Sequence, residues 1–458
     1  MAATGLAKRP PAPSRVDKKD SNPHFLKSTF RLLHDLSNAI TSDRMRTQSL
    51  VMAAIASGAL AAIPIVNIPL HYYYGGGHKI ATNLVNSASN ISVEVVFDQG
   101  SENFWVFGPN AINNWGCTGL LCQGQCNVTA EPFYDYPHSS SATKPESFPA
   151  QYAYGAYTKI VQGQESVNDT FHFASDSGLT SEVGTRVAIA TYMQQRLGDN
   201  GQCIPAAYDL GILGVAPFYR SAAWNTTGPH VRQDLLQKGL INAPVQSIWF
   251  DEPPAEWNGT FTGNAVFGAI DLSKFTGELV KVPLVDNDGL GATVGYFVAP
   301  PVVKVKNATF DNSEVNTRSC AIDSGTQIND LPISDSALQS FMTTAGLTRD
   351  SIGHVAWNGS CDSVPKDLTI DLEFTGVDNK KVTIKTPIRT YIRNSADREP
   401  SYCSLNIDTG SCMLGAPFAT SAFFAANDAE HEIALAQGGI SKRGDEADEA
   451  SLSLTIPN

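Results

Sequence analysis

VVFDQGSENFWV (residues 95–106) and CAIDSGTQINDLP (residues 320–332) carry one pattern: apolar residues, an aspartate, a variable residue, glycine, then serine or threonine. Each is followed downstream by an apolar-apolar-glycine triplet, Ile212-Leu213-Gly214 after the first and Met413-Leu414-Gly415 after the second. A single Asp-x-Gly-Ser/Thr is an ordinary tight turn. Two copies, each behind an apolar run and each with its own triplet, point to a duplicated unit and two related lobes. Gly100 and Gly325 let the chain bend and bring backbone N–H groups to the carboxylates. Ser101 and Thr326 can add hydroxyl hydrogen bonds.

Outward from these stretches the chain reads as short strands. ISVEVVFD, NFWVFG, QSIWFD, NAVFGAID, ELVKVPL and KVTIKTP are rich in Val, Ile, Phe and Thr and are bounded by turn residues. Helical periodicity stands out over Val231–Lys238 and Asp335–Ala345. The class is therefore mostly β. Apolar residues make up 42% of the 458 and charged residues 17%, which supports a large core and argues against disorder throughout. A net charge of −13 argues against a nucleic-acid partner, which would call for a basic patch. HExxH, Gly-x-Ser-x-Gly, P-loop and dinucleotide-binding patterns do not occur, and no metal or cofactor is expected.

If the two lobes pack with their Asp turns facing, Asp98 and Asp323 approach. Like charges a few ångströms apart cannot both ionise, so the pair shares a proton and one pKa rises. A water between such carboxylates can lose a proton to one while the other protonates a peptide carbonyl.

On these motifs residues 63–437 resemble the pepsin family of aspartic proteases, in its secreted fungal form. FDQGSENFWVFG and IDSGTQINDLP look like the two catalytic motifs. YDLGILGVAP, LLQKGLINAPVQSIWF, FGAIDLSKFTGELVKVPL and MLGAPFATSAFFAANDAEHEIALAQ follow the family's segments in order. The resemblance implies a bilobal fold with an N-terminal lobe over 63–275 and a C-terminal lobe over 276–437. It implies Asp98 and Asp323 as the catalytic pair of a secreted endopeptidase working at acidic pH. Gly100, Ser101, Ser324, Gly325 and Thr326 would support the pair, and Trp105 would pack under a flap tyrosine. In SFPAQYAYGAYTKI the spacing Phe148-x-x-x-Tyr152-x-x-Gly155 favours Tyr152 as that tyrosine, with Tyr154 the alternative. The partner would be an extended peptide in the cleft between lobes, bound by a monomer. The resemblance also suggests a Cys361–Cys403 disulfide and a bridge from Cys117 to Cys122 or Cys126. The pairing of Cys126, Cys203, Cys320 and Cys412 stays open.

Three features depart from the family pattern. Gln99 stands where a threonine or serine hydroxyl normally locks the two Asp loops together; Ser324 can still make its half. Ala153 replaces the glycine after Tyr152. Only 35 residues separate Ile63 from Asp98, too few for the first strands plus a basic pro-segment. These features support an alternative function: a catalytically weak or inactive pepsin-like protein acting as a protein-binding or inhibitor module.

The flanks concern the compartment. Residues 1–44 are basic and aperiodic and read as disordered, from a mis-assigned start. Residues 45–62, with Met45-Arg46 before an apolar run and Ala59-x-Ala61, read as a signal peptide, or as an anchor tethering the protein to a surface. Seven Asn-x-Ser/Thr sequons, at Asn90, Asn127, Asn168, Asn225, Asn258, Asn307 and Asn358, agree with export. Eight cysteines then read as disulfides. Residues 438–458 read as an acidic disordered tail with a candidate dibasic processing site at Lys442-Arg443. Removing residues 1–62, with nine basic and four acidic side chains, leaves 23 basic and 41 acidic, or −18.

Overall fold

The computed structural model describes residues 62–73, 79–115, 126–154, 159–175, 178–180, 182–195, 210–217, 229–285, 295–310, 318–393 and 401–457. The basic segment and the apolar run of the expected signal lie outside these residues. So do Cys117, Cys122, Cys203 and Asn225.

Both Asp motifs fold in the same way. The strand Ser92–Asp98 ends on the aspartate, and the triplet strand Gly211–Gly214 runs parallel to it, with Leu213 beside Phe97 and Gly214 beside Asp98. The strand Phe104–Trp115 closes over the other side of the triplet, antiparallel, with Ile212 opposite Trp105. In the second copy Cys320–Ile322 lies parallel to Met413–Leu414, and Asp330 of Asn329–Leu331 pairs antiparallel with Met413. Each triplet strand is thus threaded between the two arms of an Asp loop. The closing glycine is required by that threading. A Cβ on Gly214 would sit 2.4 Å from the Asn103 nitrogen, and one on Gly415 would sit 2.4 Å from the Ile328 carbonyl oxygen. Both are distances that real Cβ atoms do not adopt.

The architecture is mostly β and bilobal. Its main sheet has 15 strands. Across it, in hydrogen-bonded order, run Thr276–Val282, Glu432–Gln437, Ala422–Asn427, Val245–Phe250, Thr260–Phe267, Val66–Tyr73, Ala81–Asn86, Ser92–Asp98, Gly211–Gly214, Phe104–Trp115, Val183–Gln195, Lys159–Ser175 and Glu146–Tyr154. Sequence-distant segments therefore share one sheet: Val245–Phe250 pairs antiparallel with Ala422–Asn427, Ile248 opposite Phe424. Every residue of these two strands is buried, and the polar ones are partnered: Gln246 Nε2 donates to the Tyr296 hydroxyl at 2.7 Å and Ser247 accepts from the Asp271 N–H at 3.1 Å. By contrast Thr369–Thr375 and Lys381–Pro387 alternate buried and exposed positions, as strands with one wet face do.

The helix Asp335–Ala345 has the expected bounds. Ser334 caps it by accepting from the Ala337 N–H at 3.2 Å, and Gly346 ends it at φ 81°. The short helix Val231–Gln237 carries Arg232, which is 2% exposed and lies 2.9 Å from Asp428. The Tyr296 hydroxyl donates to the same carboxylate at 3.1 Å. Losing one partner of such a buried pair would cost about 3–5 kcal/mol. Two disulfides staple the second half of the chain, Cys361–Cys403 and Cys320–Cys412. The second joins the residues preceding the parallel pair that carries Asp323.

The tail departs from the sequence reading. Residues 438–457 are ordered against the sheet. Leu452–Ser453 pairs with Ile270–Asp271, Ser441 bridges Asp251, and Ile456 is 4% exposed in a cluster with Trp249, Ile270 and Phe423. The expectation of disorder followed the run of acids. It missed that Asp251 and Asp271 collect the tail's backbone N–H groups, at 3.4 Å from Gly444 and 2.8 Å from Asp448. Lys442 and Arg443 lie in an exposed turn held by reciprocal bonds between Lys442 and Asp445. No helix among the described residues is long and apolar enough to cross a membrane.

Candidate active site

The two Asp turns face one another. Glycine makes this approach possible: a Cβ on Gly100 would lie 2.5 Å from Asp323 Cγ, and one on Gly325 would lie 2.3 Å from Asp98 Oδ1. Each carboxylate accepts from the backbone two residues on, Gly100 N–H to Asp98 Oδ1 and Gly325 N–H to Asp323 Oδ1, both at 2.8 Å. Ser101 donates its hydroxyl to Asp98 Oδ2 at 2.5 Å. Thr326 meets Asp323 through its backbone instead, N–H to carbonyl at 3.2 Å. The two carboxyl groups approach across the turns, since the same Cβ on Gly325 would also lie 3.0 Å from Asp323 Oδ1. Burial first, and then the Asp98 charge, push the Asp323 carboxyl well above the usual carboxylate range.

The turns are braced from one side. Ser324, 1% exposed, accepts from the Gln99 N–H at 2.9 Å and donates to the Phe97 carbonyl at 2.7 Å. The other side lacks the reciprocal bond. Gln99 is equally buried, and its Nε2 has no hydrogen-bond partner.

A hairpin, Glu146–Tyr154 against Lys159–Ser175, covers the pair. Tyr154 is the tyrosine at the cleft. It accepts from Trp105 Nε1 at 2.7 Å and lies near enough to Asp98 for that charge to help raise its pKa, after burial. Tyr152 is packed deeper among Trp105, Ala150 and Met193, and its hydroxyl has no partner. Of the two tyrosines offered by the sequence, Tyr152 and its alternative Tyr154, the one lining the cleft is Tyr154. Both side chains share one face of the strand, two residues apart, so periodicity could not separate them. Counting from Phe148 misleads because the hairpin register shifts between Ser147 and Ala150. Gly155 lies outside the described residues.

The cleft under the hairpin has a volume of about 390 Å³. Asp98, Asp323, Ser101, Thr326 and Tyr154 line it, with three charged groups that the sequence did not single out, Lys79, Lys159 and Glu102. Lys79 follows a glycine run and a histidine, and nothing in the local pattern marks it. Lys159 holds its ammonium 5.8 Å from the centre of the Trp105 ring. Among the described residues no group of three or more His, Cys, Asp or Glu is placed to hold a metal ion. Of the sequons, Asn90, Asn127, Asn258, Asn307 and Asn358 are exposed, while Asn168 is half-buried within a strand.

Comparison with known sequences agrees with this geometry. The family described as Eukaryotic aspartyl protease matches residues 86–438. Pepsin B of Canis lupus familiaris is 24% identical over 76% of this chain and 75% of its own length. Candidapepsin of Candida tropicalis is 25% identical over 79% of each. Secreted aspartic protease 4 of Candida albicans is 24% identical over 78% of this chain and 76% of its own. With the family matched across most of its length, the chain belongs to the eukaryotic aspartyl proteases, the hydrolases of peptide bonds with which the paired Asp turns are in keeping.

Proposed function

We propose that the protein is a secreted endopeptidase in which Asp98 and Asp323 share one proton across the cleft. The observation that carries this is the close approach of the two Asp turns, where a Cβ on Gly325 would lie 2.3 Å from Asp98 Oδ1 and 3.0 Å from Asp323 Oδ1, with burial and the Asp98 charge raising the Asp323 pKa. Ionised Asp98 takes a proton from a water lying between the carboxylates. Protonated Asp323 donates to the scissile carbonyl oxygen, so the tetrahedral intermediate forms without a covalent enzyme adduct. Loss of the second proton from the pair abolishes the donor, and for that reason activity belongs to acidic pH. The substrate lies extended under Tyr154, held by main-chain bonds, and the enzyme acts as a monomer. Export is supported by five exposed sequons, by two disulfides and by relatives that include a protein named as secreted.

The unpaired amide of Gln99 favours a second reading, peptide binding without turnover, because a one-sided brace leaves the carboxylates less rigidly placed. Denatured globin incubated between about pH 3 and pH 6, with and without pepstatin, separates the two. Pepstatin-sensitive cleavage that disappears in Asp98→Asn is expected. Folded protein that cleaves nothing at any pH refutes the endopeptidase, and Gln99→Thr then shows whether the missing hydroxyl is the reason.

A further inference from the structure

The cleft is unusual in its charge. Besides the paired aspartates it is lined by two ammonium groups, Lys79 and Lys159, and by one further carboxylate, Glu102. Lys79 is half-buried and lines the cleft. It is close enough to Asp323 for its charge to oppose the rise in that residue's pKa. Among the described residues Lys79 stands in no ion pair, whereas Lys238, Lys281, Lys304 and Lys380 do, all away from the cleft. A cation at the wall of a substrate cleft is a ready partner for an anion on the substrate.

We propose that the cleft selects peptides bearing a glutamate or aspartate side chain beside the scissile bond, with Lys79 as the residue that recognises the carboxylate. The inference rests on the endopeptidase reading only for the word scissile; the recognition itself is a binding event. The groups facing the incoming carboxylate are Lys79 from the segment before Ala81–Asn86, Lys159 and Tyr154 from the hairpin, Asp98 and Glu102 from the first Asp loop, and Asp323 from the second. Lys79 sets a positive charge at the cleft wall beside the dyad, and an ionised substrate side chain is attracted to it. A free glutamate titrates near pH 4.3, so the preference must appear as pH rises through that value and fade below it.

The test uses matched peptides with Glu or Gln at each of the three positions on either side of the scissile bond. One set is cleavable; a second set has a hydroxyethylene group in place of that bond and is labelled for fluorescence anisotropy. At pH 5.5 the parent protein should prefer Glu over Gln at one position by about tenfold, the size of one hydrogen bond to a charged group. The ratio should fall to about one at pH 3, where the substrate carboxyl is neutral. Lys79→Met should abolish the ratio at every pH, and Lys79→Arg should keep it. Taking a ratio cancels any effect of position 79 on Asp323. Equal dissociation constants for the Glu and Gln isosteres at all positions overturn the proposal, as does a preference that survives in Lys79→Met. Retained Glu-over-Gln binding with no cleavage refutes the endopeptidase and leaves charge recognition standing.

Discussion

Ser324→Ala isolates the brace between the two Asp turns. The Ser324 hydroxyl is the sole side chain that ties Gln99 N–H to Phe97 C=O among the described bonds, at 2.9 and 2.7 Å. Both bonds are buried, so truncation leaves a backbone donor and a backbone acceptor in a place water cannot enter without opening the loops. An unsatisfied buried polar group costs about 1–3 kcal/mol. The Phe97 carbonyl retains a second lone pair and falls at the low end, so the loss should be about 2–4 kcal/mol. Because Gln99 supplies no reciprocal bond, nothing else takes over, and the carboxylates should drift. A displacement well under 1 Å would already reduce kcat by about tenfold, with KM little changed. Urea unfolding at pH 5 followed by tryptophan fluorescence reads the first quantity, and steady-state cleavage of a fluorogenic peptide reads the second. Ser324→Thr keeps the hydroxyl and should restore both. An unfolding free energy within about 0.5 kcal/mol of the parent, with kcat unchanged, would refute the reasoning.

Two further outcomes follow from the geometry. Tyr154→Phe removes the acceptor for Trp105 Nε1 and should lower kcat/KM about three- to tenfold, whereas Tyr152→Phe removes a hydroxyl without a partner and should leave it unchanged; the reverse order would return the flap to Tyr152. Burial raises the Asp251 carboxyl to about 6, above its value of about 3.9 in the unfolded chain. The native state therefore holds that proton more tightly, and its contribution is complete below pH 4 and is lost as pH rises through 6, about 3 kcal/mol in all. Asp251→Asn should remove this slope, gaining on the parent between pH 4 and pH 7 in denaturant titrations; identical pH profiles would refute it.

The strand class was legible because apolar runs and turn residues alternate at strand length. The helix Asp335–Ala345 was legible because Ser334 and Gly346 mark both ends. The pairing of the two Asp turns could be inferred from the repeat alone, since Gly214 and Gly415 serve one threading twice. What escaped depends on contacts between distant residues. Tyr152 and Tyr154 differ only in their height along one hairpin. Lys79 acquires its place from a cleft closed by residues near 323. The Cys320–Cys412 bridge spans 92 residues with no local mark. The tail escaped because its anchors, Leu452 and Ile456, are two of four Leu and Ile residues in an acidic stretch, and their binding surface lies in strands far upstream.

That tail changes what a cut at Lys442-Arg443 would mean. Hydrolysis after Arg443 would free the residues that follow it covalently but not physically. The pairing with Ile270–Asp271, the Asp448 N–H bonded to Asp271 and the burial of Ile456 would all survive the cut. The tail would change from a tethered strap, held at an effective concentration in the millimolar range, into an exchangeable peptide ligand with a dissociation constant of its own. The nicked protein would then depend on dilution: intact at high concentration, and progressively uncovering Trp249 and Phe423 as it is diluted.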